Sequence, residues 1–240
     1  MSDLVSDNDI IFRIKELNEK ISQTCHRIGR DADEIKLEAI SKFHPLSAIE
    51  EAWKGGIRLF GENRVEEARE KLTAFKRTHA GDSTEIHLTG TLQRNKAKKA
   101  VEFFDCIESL DRISLIDELG KLTMERDKPL MVYLEYHTGE ESKAGFPDLD
   151  SLFYAAEKVH GYRGLKPMGL MTMAPFTGDE KAIRASFRSC KKASEELCRR
   201  FGSDSWPGLS MGMSGDFEIA IEEGSNLLRI GTAIFGVREL

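Results

Sequence analysis

Cysteine, proline and long apolar runs are scarce in this 240-residue chain, and each scarcity excludes a class of protein. The four cysteines form no Cys-x-x-Cys pair, so we expect neither a disulfide framework nor a zinc knuckle, and reduced thiols favour a cytoplasmic protein. No stretch approaches the roughly 18 apolar residues of a membrane span, and the acidic N-terminus lacks the features of a secretory signal. A net charge of −6 argues against a general nucleic-acid binder.

The chain also lacks internal repeats, low-complexity tracts and linker-like stretches, and its six prolines lie near apparent element boundaries. Hydrophobic residues make up 40% and charged residues 32%, as in an ordinary globular protein. The length alone permits one large barrel or two small units. We predict a single domain over residues 1–240, in which residues 1–35 form a helical extension that packs on the remainder.

Apolar periodicity divides the chain into alternating elements. Ile10, Ile14, Leu17 and Ile21 recur at helical spacing, and from residue 36 short apolar runs alternate with amphipathic helices. The predicted strands cover 37–41, 57–61, 85–89, 104–109, 129–136, part of 165–173, 208–211 and 227–231. The main helices between them cover 65–75, 93–101, 113–124, 149–159 and 180–201.

Eight strand–helix units in sequence predict a parallel sheet, because each strand is followed by a crossover helix. Eight units favour an α/β fold of the closed (β/α)8, or TIM-barrel, type, for which about 250 residues is typical. An open doubly wound sheet is the alternative. It is disfavoured by the even spacing and by the absence of Gly-x-Gly-x-x-Gly after the first strand.

A lysine directly follows the first predicted strand, at the barrel end where ligand sites form. Lys42 lies between apolar Ile40 and Phe43 in sequence, and partial desolvation there favours a neutral amine. A neutral amine is the form that condenses with a carbonyl to give a Schiff base. The alternative is a lysine that extends from the strand end into solvent.

Small residues follow strands seven and eight, where barrels of this kind bind phosphate. Gly212 and Gly215 permit close backbone approach, and Ser214 is placed to cap the next helix. Gly231 and Thr232 add backbone donors and a hydroxyl after strand eight. The pattern indicates a phosphate site, although the same residues would also serve a helix cap and two turns.

Three polar residues on or after strands are weaker candidates. Arg229 lies among apolar neighbours, so it needs either an ion-pair partner or a ligand atom. Asn63 offers a hydrogen-bonding amide but is also a common turn residue, and His87 fits a hydrogen-bonded core residue or a site residue. No histidine pairs with a second histidine or a carboxylate at metal-ligand spacing, so we predict no metal site.

Several motifs occur in the order of one known family. They are ISKFHP (40–45), GENRVEE (61–67), HLTGTLQRNK (87–96), ESKAG (141–145), GLMT (169–172), and the C-terminal pair 209–214 and 229–236. Together they resemble the YggS/PROSC family of pyridoxal 5′-phosphate (PLP) homeostasis proteins, which is related to the barrel domain of alanine racemase. The resemblance runs from the first helix to the C-terminus.

The resemblance implies a fold-type III PLP protein with one cofactor site. It implies that Lys42 holds PLP as a Schiff base, that Arg229 faces the pyridine nitrogen, and that Asn63 lines the pocket. The residues implied to bind the phosphate are Ser214, Gly231 and Thr232, and those implied to lie near the cofactor are His87 and Met171.

Three positions depart from the family motifs. Phe43 replaces a usual Thr, Arg64 replaces Tyr, and Thr89 replaces an apolar residue. All three adjoin the implied pocket residues, so they bear on cofactor affinity and not on the lysine.

Two functions are compatible with this resemblance. The first is a PLP-binding homeostasis protein, a carrier or regulator of vitamin B6 and of amino- and keto-acid balance, without established turnover. The second is a PLP-dependent amino-acid racemase. Racemisation commonly uses two opposed acid/base groups, and alanine racemase takes a Tyr from a C-terminal domain. The chain ends shortly after Gly231, so we expect no such domain and favour the first function.

The same resemblance bears on partners. We expect PLP-dependent apo-enzymes as protein partners, no membrane and no nucleic acid, and a monomer with a dimer as the alternative. A basic run at 94–99 favours a solvated helix face, and docking to an anion or a partner protein is its alternative.

Overall fold

Parallel strands close into a barrel in the computed structural model, which describes residues 7–139 and 144–236. Within these residues the eight strands follow one another around the barrel in chain order, and β1 pairs with β8. The predicted (β/α)8 barrel is therefore confirmed. Most of the motif at 141–145 lies outside the described residues. The strands are β1 (Lys36–Ile40), β2 (Leu59–Glu62), β3 (Glu85–Leu88), β4 (Cys106–Leu110), β5 (Leu130–Glu135), β6 (Leu165–Met171), β7 (Gly208–Ser210) and β8 (Leu227–Ile230).

Helices occupy the crossovers, as the amphipathic periodicity predicts. A short helix after β8 was not predicted. None of the helices in the described ranges is long and apolar enough to cross a membrane. The helices are α1 (Asp7–Arg27), α2 (Leu46–Lys54), α3 (Val65–Thr78), α4 (Ala97–Phe103), α5 (Ile113–Leu122), α6 (Leu149–His160), α7 (Glu180–Phe201), α8 (Phe217–Glu222) and α9 (Thr232–Phe235).

The first helix packs on the outside of the barrel against α2, α8 and α9. Its buried residues repeat every three or four positions, which gives one continuous apolar face toward the barrel. Arg30, just after α1, donates hydrogen bonds of 2.9 Å to the backbone oxygens of Ile221 and Ser225 and so fastens the helix to the end of α8. The buried residues of this face are Ile10, Ile14, Leu17, Ile21 and Cys25.

Charged side chains occupy the interior of the barrel. The main apolar core lies between the strands and the surrounding helices, whereas the interior holds only a small apolar cluster of Leu59, Cys106, Tyr133, Met171 and Leu227 among the described residues. Six charged residues are buried on the strands, two of which are Glu62 and Glu135. A buried charge needs a partner, and the other four, Glu38, His87, Glu108 and Arg229, form one connected group.

Candidate functional site

The barrel brings most of the predicted site residues to the carboxyl ends of neighbouring strands. Because β8 pairs with both β7 and β1, the ends of these three strands are adjacent. Lys42 follows β1 and is half-buried. The remaining predicted residues lie on or just after β2 (Asn63), β3 (His87), β6 (Met171), β7 (Ser214) and β8 (Arg229, Gly231, Thr232).

A buried carboxylate fixes the backbone immediately before Lys42. The Ser41 hydroxyl donates to Glu62 Oε1 at 2.6 Å. Lys71 Nζ lies 2.7 Å from the same Glu62 oxygen and donates to the Ser41 backbone oxygen at 2.8 Å. Burial raises the pKa of Glu62, and Lys71 and Ser41 oppose that shift. Sequence analysis missed these contacts, although Glu62 stands inside the matched GENRVEE motif.

The residue after Lys42 is held in an unusual backbone conformation. Phe43 has φ 65°, a left-handed value that is uncommon outside glycine. Its backbone N–H donates to Glu67 Oε1 at 2.8 Å, and the Arg64 guanidinium lies 5.5 Å from the centre of its ring. Two of the three departures from the family motifs therefore contact each other beside the lysine.

Ser214 joins the two loops predicted to bind phosphate. We expected it to cap α8, and this was wrong: α8 begins after Asp216, whereas the Ser214 hydroxyl accepts the N–H of Ala233 in α9 at 3.2 Å. The prediction failed because Asp216, two residues after Ser214, occupies the N-cap position of α8. The contact places the hydroxyl beside the Gly231–Thr232 turn, so the predicted phosphate residues lie together.

The lysine loop packs on the same turn. The His44 ring stacks on the Phe235 ring of α9 with 4.5 Å between their centres. A Cβ built on Gly231 would be in ordinary van der Waals contact with Ile40, at the end of β1. Thr232 begins α9 and is exposed. The loop that carries Lys42 and the turn after β8 therefore form one continuous surface.

The Arg229 guanidinium is held by neutral oxygen acceptors on β7 and just after β6. Its guanidinium donates to the backbone oxygen of Ser210 at 2.5 Å, to the Ser210 hydroxyl at 2.6 Å and to the backbone oxygen of Thr172 at 2.8 Å. Arg229 is 5% exposed. The Ser210 hydroxyl in turn donates to Glu108 Oε2 at 2.5 Å, which ties Arg229 to a carboxylate through one intermediate residue.

His87 is a buried residue with carboxylates at both ring nitrogens. Its Nδ1 lies 2.6 Å from Glu108 Oε1 and 3.9 Å from Glu38 Oε1, and its Nε2 lies 3.4 Å from Glu85 Oε2. The sequence argument against carboxylate pairing was therefore wrong for His87, because Glu38 and Glu108 reach it from other strands. Burial alone would lower the pKa of His87, but the hydrogen bonds to Glu108 and Glu85 raise it to about 10.

The two carboxyl groups beside His87 differ. Burial raises the pKa of Glu38 well above its usual value, and the charge of Glu108 adds to this shift. Burial is the largest influence on Glu108 and acts in the same direction, but the hydrogen bond and charge of His87, together with Arg229 and Ser210, outweigh it and lower the pKa. The structure thus favours a Glu108–His87 ion pair and disfavours ionisation of Glu38 beside it.

Asn63 and Met171 complete the predicted set. Asn63 is half-buried, and its Oδ1 accepts the hydroxyl of Thr89, the third departure from the family motifs, at 3.0 Å. Met171 is 1% exposed and belongs to the apolar cluster in the barrel. It precedes Thr172, whose backbone oxygen accepts from Arg229.

The basic run at 94–99 is paired with carboxylates on neighbouring helices. Arg94 lies 2.9 Å from Glu118 of α5, and both Lys96 and Lys99 contact Glu66 of α3. These contacts favour the solvated helix face over a free anion-binding patch.

Comparison with known proteins finds relatives in sequence and in fold over nearly the whole chain. The chain matches the family described as "Alanine racemase, N-terminal domain" over residues 20–239. It is 36% identical over 227 residues to the pyridoxal phosphate homeostasis protein of Aquifex aeolicus, covering 95% of this chain and 97% of that protein. A structure from Bifidobacterium adolescentis superposes with a TM-score of 0.90 at 33% identity, covering 98% of both chains. The structure of PipY from Synechococcus elongatus with PLP bound superposes at 0.78 and 33% identity, covering 90% of this chain and 100% of that one.

The closed eight-stranded barrel and the family match over residues 20–239 together define a barrel of the alanine racemase N-terminal type. Alanine racemase from Clostridium difficile shares this fold with a TM-score of 0.76, but at 11% identity and over 58% of its length. The chain belongs to the family of pyridoxal phosphate homeostasis proteins.

Proposed function

We propose that this chain binds PLP at the carboxyl end of its barrel and serves intracellular PLP homeostasis as a carrier or regulator. The observation that carries the proposal is the convergence of the lysine loop with the turns after β7 and β8, through the Ser214–Ala233 and His44–Phe235 contacts. The named function of the relatives and the PLP-bound PipY structure support it.

The residues present fit this cofactor. Ser214, Gly231 and Thr232 offer a hydroxyl pair and backbone donors for the phosphate, and Lys42 offers an amine at the adjacent strand end. When bound, PLP supplies an aldehyde that an amine can capture and a ring that withdraws electrons. Asn63 would line the pocket, with His87 and Met171 near its buried side.

Arg229 bears on whether such a site would catalyse a reaction. As a permanent cation fixed by Ser210 and Thr172, it disfavours protonation of a pyridine nitrogen placed against it. An unprotonated ring withdraws electrons less strongly. Arg229 would therefore restrain carbanion chemistry on the cofactor unless another group assists, which supports a binding role.

Reduction with borohydride followed by peptide mass spectrometry tests the attachment site. Protein reconstituted with PLP should turn yellow, and the reduced pyridoxyl group should be found on Lys42. Lys42→Ala should abolish the absorbance, whereas Lys36→Ala, at the opposite end of the same strand, should preserve it. A protein that stays colourless with excess PLP, or a label on another lysine, would refute the proposal.

A chiral assay separates the two functions. We expect no robust interconversion of alanine or other common amino acids by the reconstituted wild-type protein, with alanine racemase as the positive control. Sustained turnover that Lys42→Ala abolishes would instead establish the racemase.

We further propose that the chain is a cytoplasmic monomer that passes PLP to apo-enzymes. Because Arg94, Lys96 and Lys99 pair with carboxylates, we place the docking surface for an apo-enzyme at the rim of the cofactor site rather than at the basic run. Sedimentation equilibrium should give the mass of one chain, and an apo-enzyme mixed with the loaded protein should gain activity faster than with equal free PLP. A constant dimer mass, or equal rates of activation, would contradict these points.

A further inference from the structure

Three side chains inside the barrel offer the donor set of a metal site. Glu38, His87 and Glu108 come from β1, β3 and β4, and their nearest donor atoms all lie within 4.8 Å of one another. A metal about 2.1 Å from each ligand in tetrahedral geometry would separate the donors by about 3.4 Å. The observed separations from His87 Nδ1 are 2.6 Å to Glu108 and 3.9 Å to Glu38, so they bracket this value.

The Glu38 carboxyl group is buried without hydrogen-bond donors around it in the described part of the chain. It is 0% exposed, and neither of its oxygens accepts a hydrogen bond from a donor among the residues that the structure describes; the neighbouring Glu108 carboxylate is an acceptor for a proton on Glu38. Leaving a buried carboxyl group unsatisfied costs free energy. Gly61 of β2, which pairs with Ile40, leaves room for this side chain, because a Cβ at Gly61 would collide with the Glu38 carboxylate.

Residues around the cluster already orient the other two ligands. Metal-bound histidines usually hold their second ring nitrogen against a carboxylate, and His87 Nε2 lies 3.4 Å from Glu85 Oε2. Glu108 Oε2 accepts the Ser210 hydroxyl at 2.5 Å, which leaves Oε1 directed at His87. The atoms of His87 and Glu108 that would not bind the metal are therefore already hydrogen-bonded, to Glu85 and Ser210.

A cavity lies at the barrel end opposite Lys42, on the side from which an ion would approach the cluster. It has a volume of about 450 Å³ and is lined by Lys36, Leu59 and Glu85 among others. Two positions further along β1, β2 and β3 stand Glu38, Gly61 and His87. Because side chains alternate along a strand, residues two positions apart face the same side. The cavity residues therefore face the barrel interior, one layer nearer the cavity than Glu38 and His87 of the cluster.

We propose that Glu38, His87 and Glu108 bind one divalent transition-metal ion, with Zn²⁺ as the representative ion, inside the barrel. One imidazole and two carboxylates suit Zn²⁺. The ion would lie between β1, β3 and β4, and it would act as a structural metal because three strands supply its ligands. The inference is independent of PLP.

Metal titration of the full-length, chelator-treated protein tests the site. Wild-type protein should bind one Zn²⁺ per chain in competition with a chromophoric chelator, and its melting temperature should rise with Zn²⁺ concentration. X-ray absorption of the loaded wild-type protein should show a first shell of one nitrogen and two oxygen ligands from the protein, plus solvent. This readout needs no variant.

Two matched variants separate this site from surface binding. Glu38→Gln keeps the shape but cannot lose a proton to become a carboxylate ligand, and it should weaken Zn²⁺ binding by about 100-fold or more. Glu135→Gln makes the same change at another buried interior residue and should bind as wild type. Absence of stoichiometric binding by the wild type, equal binding by Glu38→Gln, or equal losses in both variants would overturn the proposal.

Discussion

At the scale of single residues, the conformation beside Lys42 depends on a carboxylate from α3. Glu67 accepts the Phe43 N–H at 2.8 Å and so holds this residue at φ 65°. Glu67→Ala should remove about 1 kcal/mol, the usual net value of a hydrogen bond. If the proposed site is correct, PLP affinity measured by absorbance titration should fall by roughly fivefold.

Glu67→Gln is the control for this change, because its amide oxygen remains an acceptor for the Phe43 N–H. It should retain most of the affinity that Glu67→Ala loses. Identical affinities of wild type and Glu67→Ala would show that the Glu67 contact does not position the lysine.

Glu135 predicts a stability change near neutral pH. Burial, assisted by Asp111 and opposed by Arg229, raises its pKa from 4.5 to about 7. Below pH 4.5 the carboxyl group is protonated in both folded and unfolded chains. Between pH 4.5 and 7 the unfolded chain releases this proton while the folded chain retains it, so folding stability falls as pH rises, by up to about 3 kcal/mol, and levels off above 7.

Urea denaturation of wild type and Glu135→Gln across this pH range isolates the effect. The variant should gain stability relative to wild type between pH 4.5 and 7, whereas Glu16→Gln, at an exposed position, should follow the wild-type profile. A flat difference between wild type and Glu135→Gln would contradict the raised pKa.

Sequence predicts individual site residues where the chemistry depends on a strand end, as for Lys42 and the Gly231–Thr232 turn. It does not predict partners that the barrel supplies from distant strands. The Ser214 hydroxyl reaches Ala233 in α9, and His87 reaches Glu108 and Glu38 on β4 and β1. The roles of the predicted site residues toward PLP stay predictions.

At the scale of elements, the predicted strands β2 and β4 began two residues too early. Ile57 and Phe104 have strand-like apolar character, but their N–H groups donate to Ala52 and Ala100 and thereby close the preceding helices. Helix α7 has the predicted bounds because its long amphipathic pattern lacks such ambiguity.

Helix α1 predicts a test of how much one packed face contributes. Leu17 is 3% exposed at the centre of this face, so Leu17→Ala should lower the free energy of unfolding by about 2–5 kcal/mol. Phe12→Ala, at a residue 58% exposed on the same helix, should change it by less than about 0.5 kcal/mol. Urea denaturation measures both, and similar losses would show that α1 does not pack on the barrel in solution.

At the scale of the whole molecule, the order of strands around the barrel was predictable, because eight similar βα units admit few topologies. The charged interior of the barrel was not predictable, because the pattern of a strand shows only which residues share a face and not which partners they meet inside the barrel. The assignment of the whole chain to one domain stays a prediction that cooperative unfolding would support.

Closure of the barrel couples the proposed cofactor site to global stability. The site would span β1, β7 and β8, and the β1–β8 pairing joins the first and last strands. A ligand bound there stabilises the folded chain by about 2.7 kcal/mol at 100 times its dissociation constant. PLP should therefore raise the melting temperature of wild type more than that of Lys42→Ala. Pyridoxine 5′-phosphate, which lacks the aldehyde, should stabilise both equally, and a larger effect of this analogue on wild type would show that Lys42 acts through charge rather than through covalent attachment.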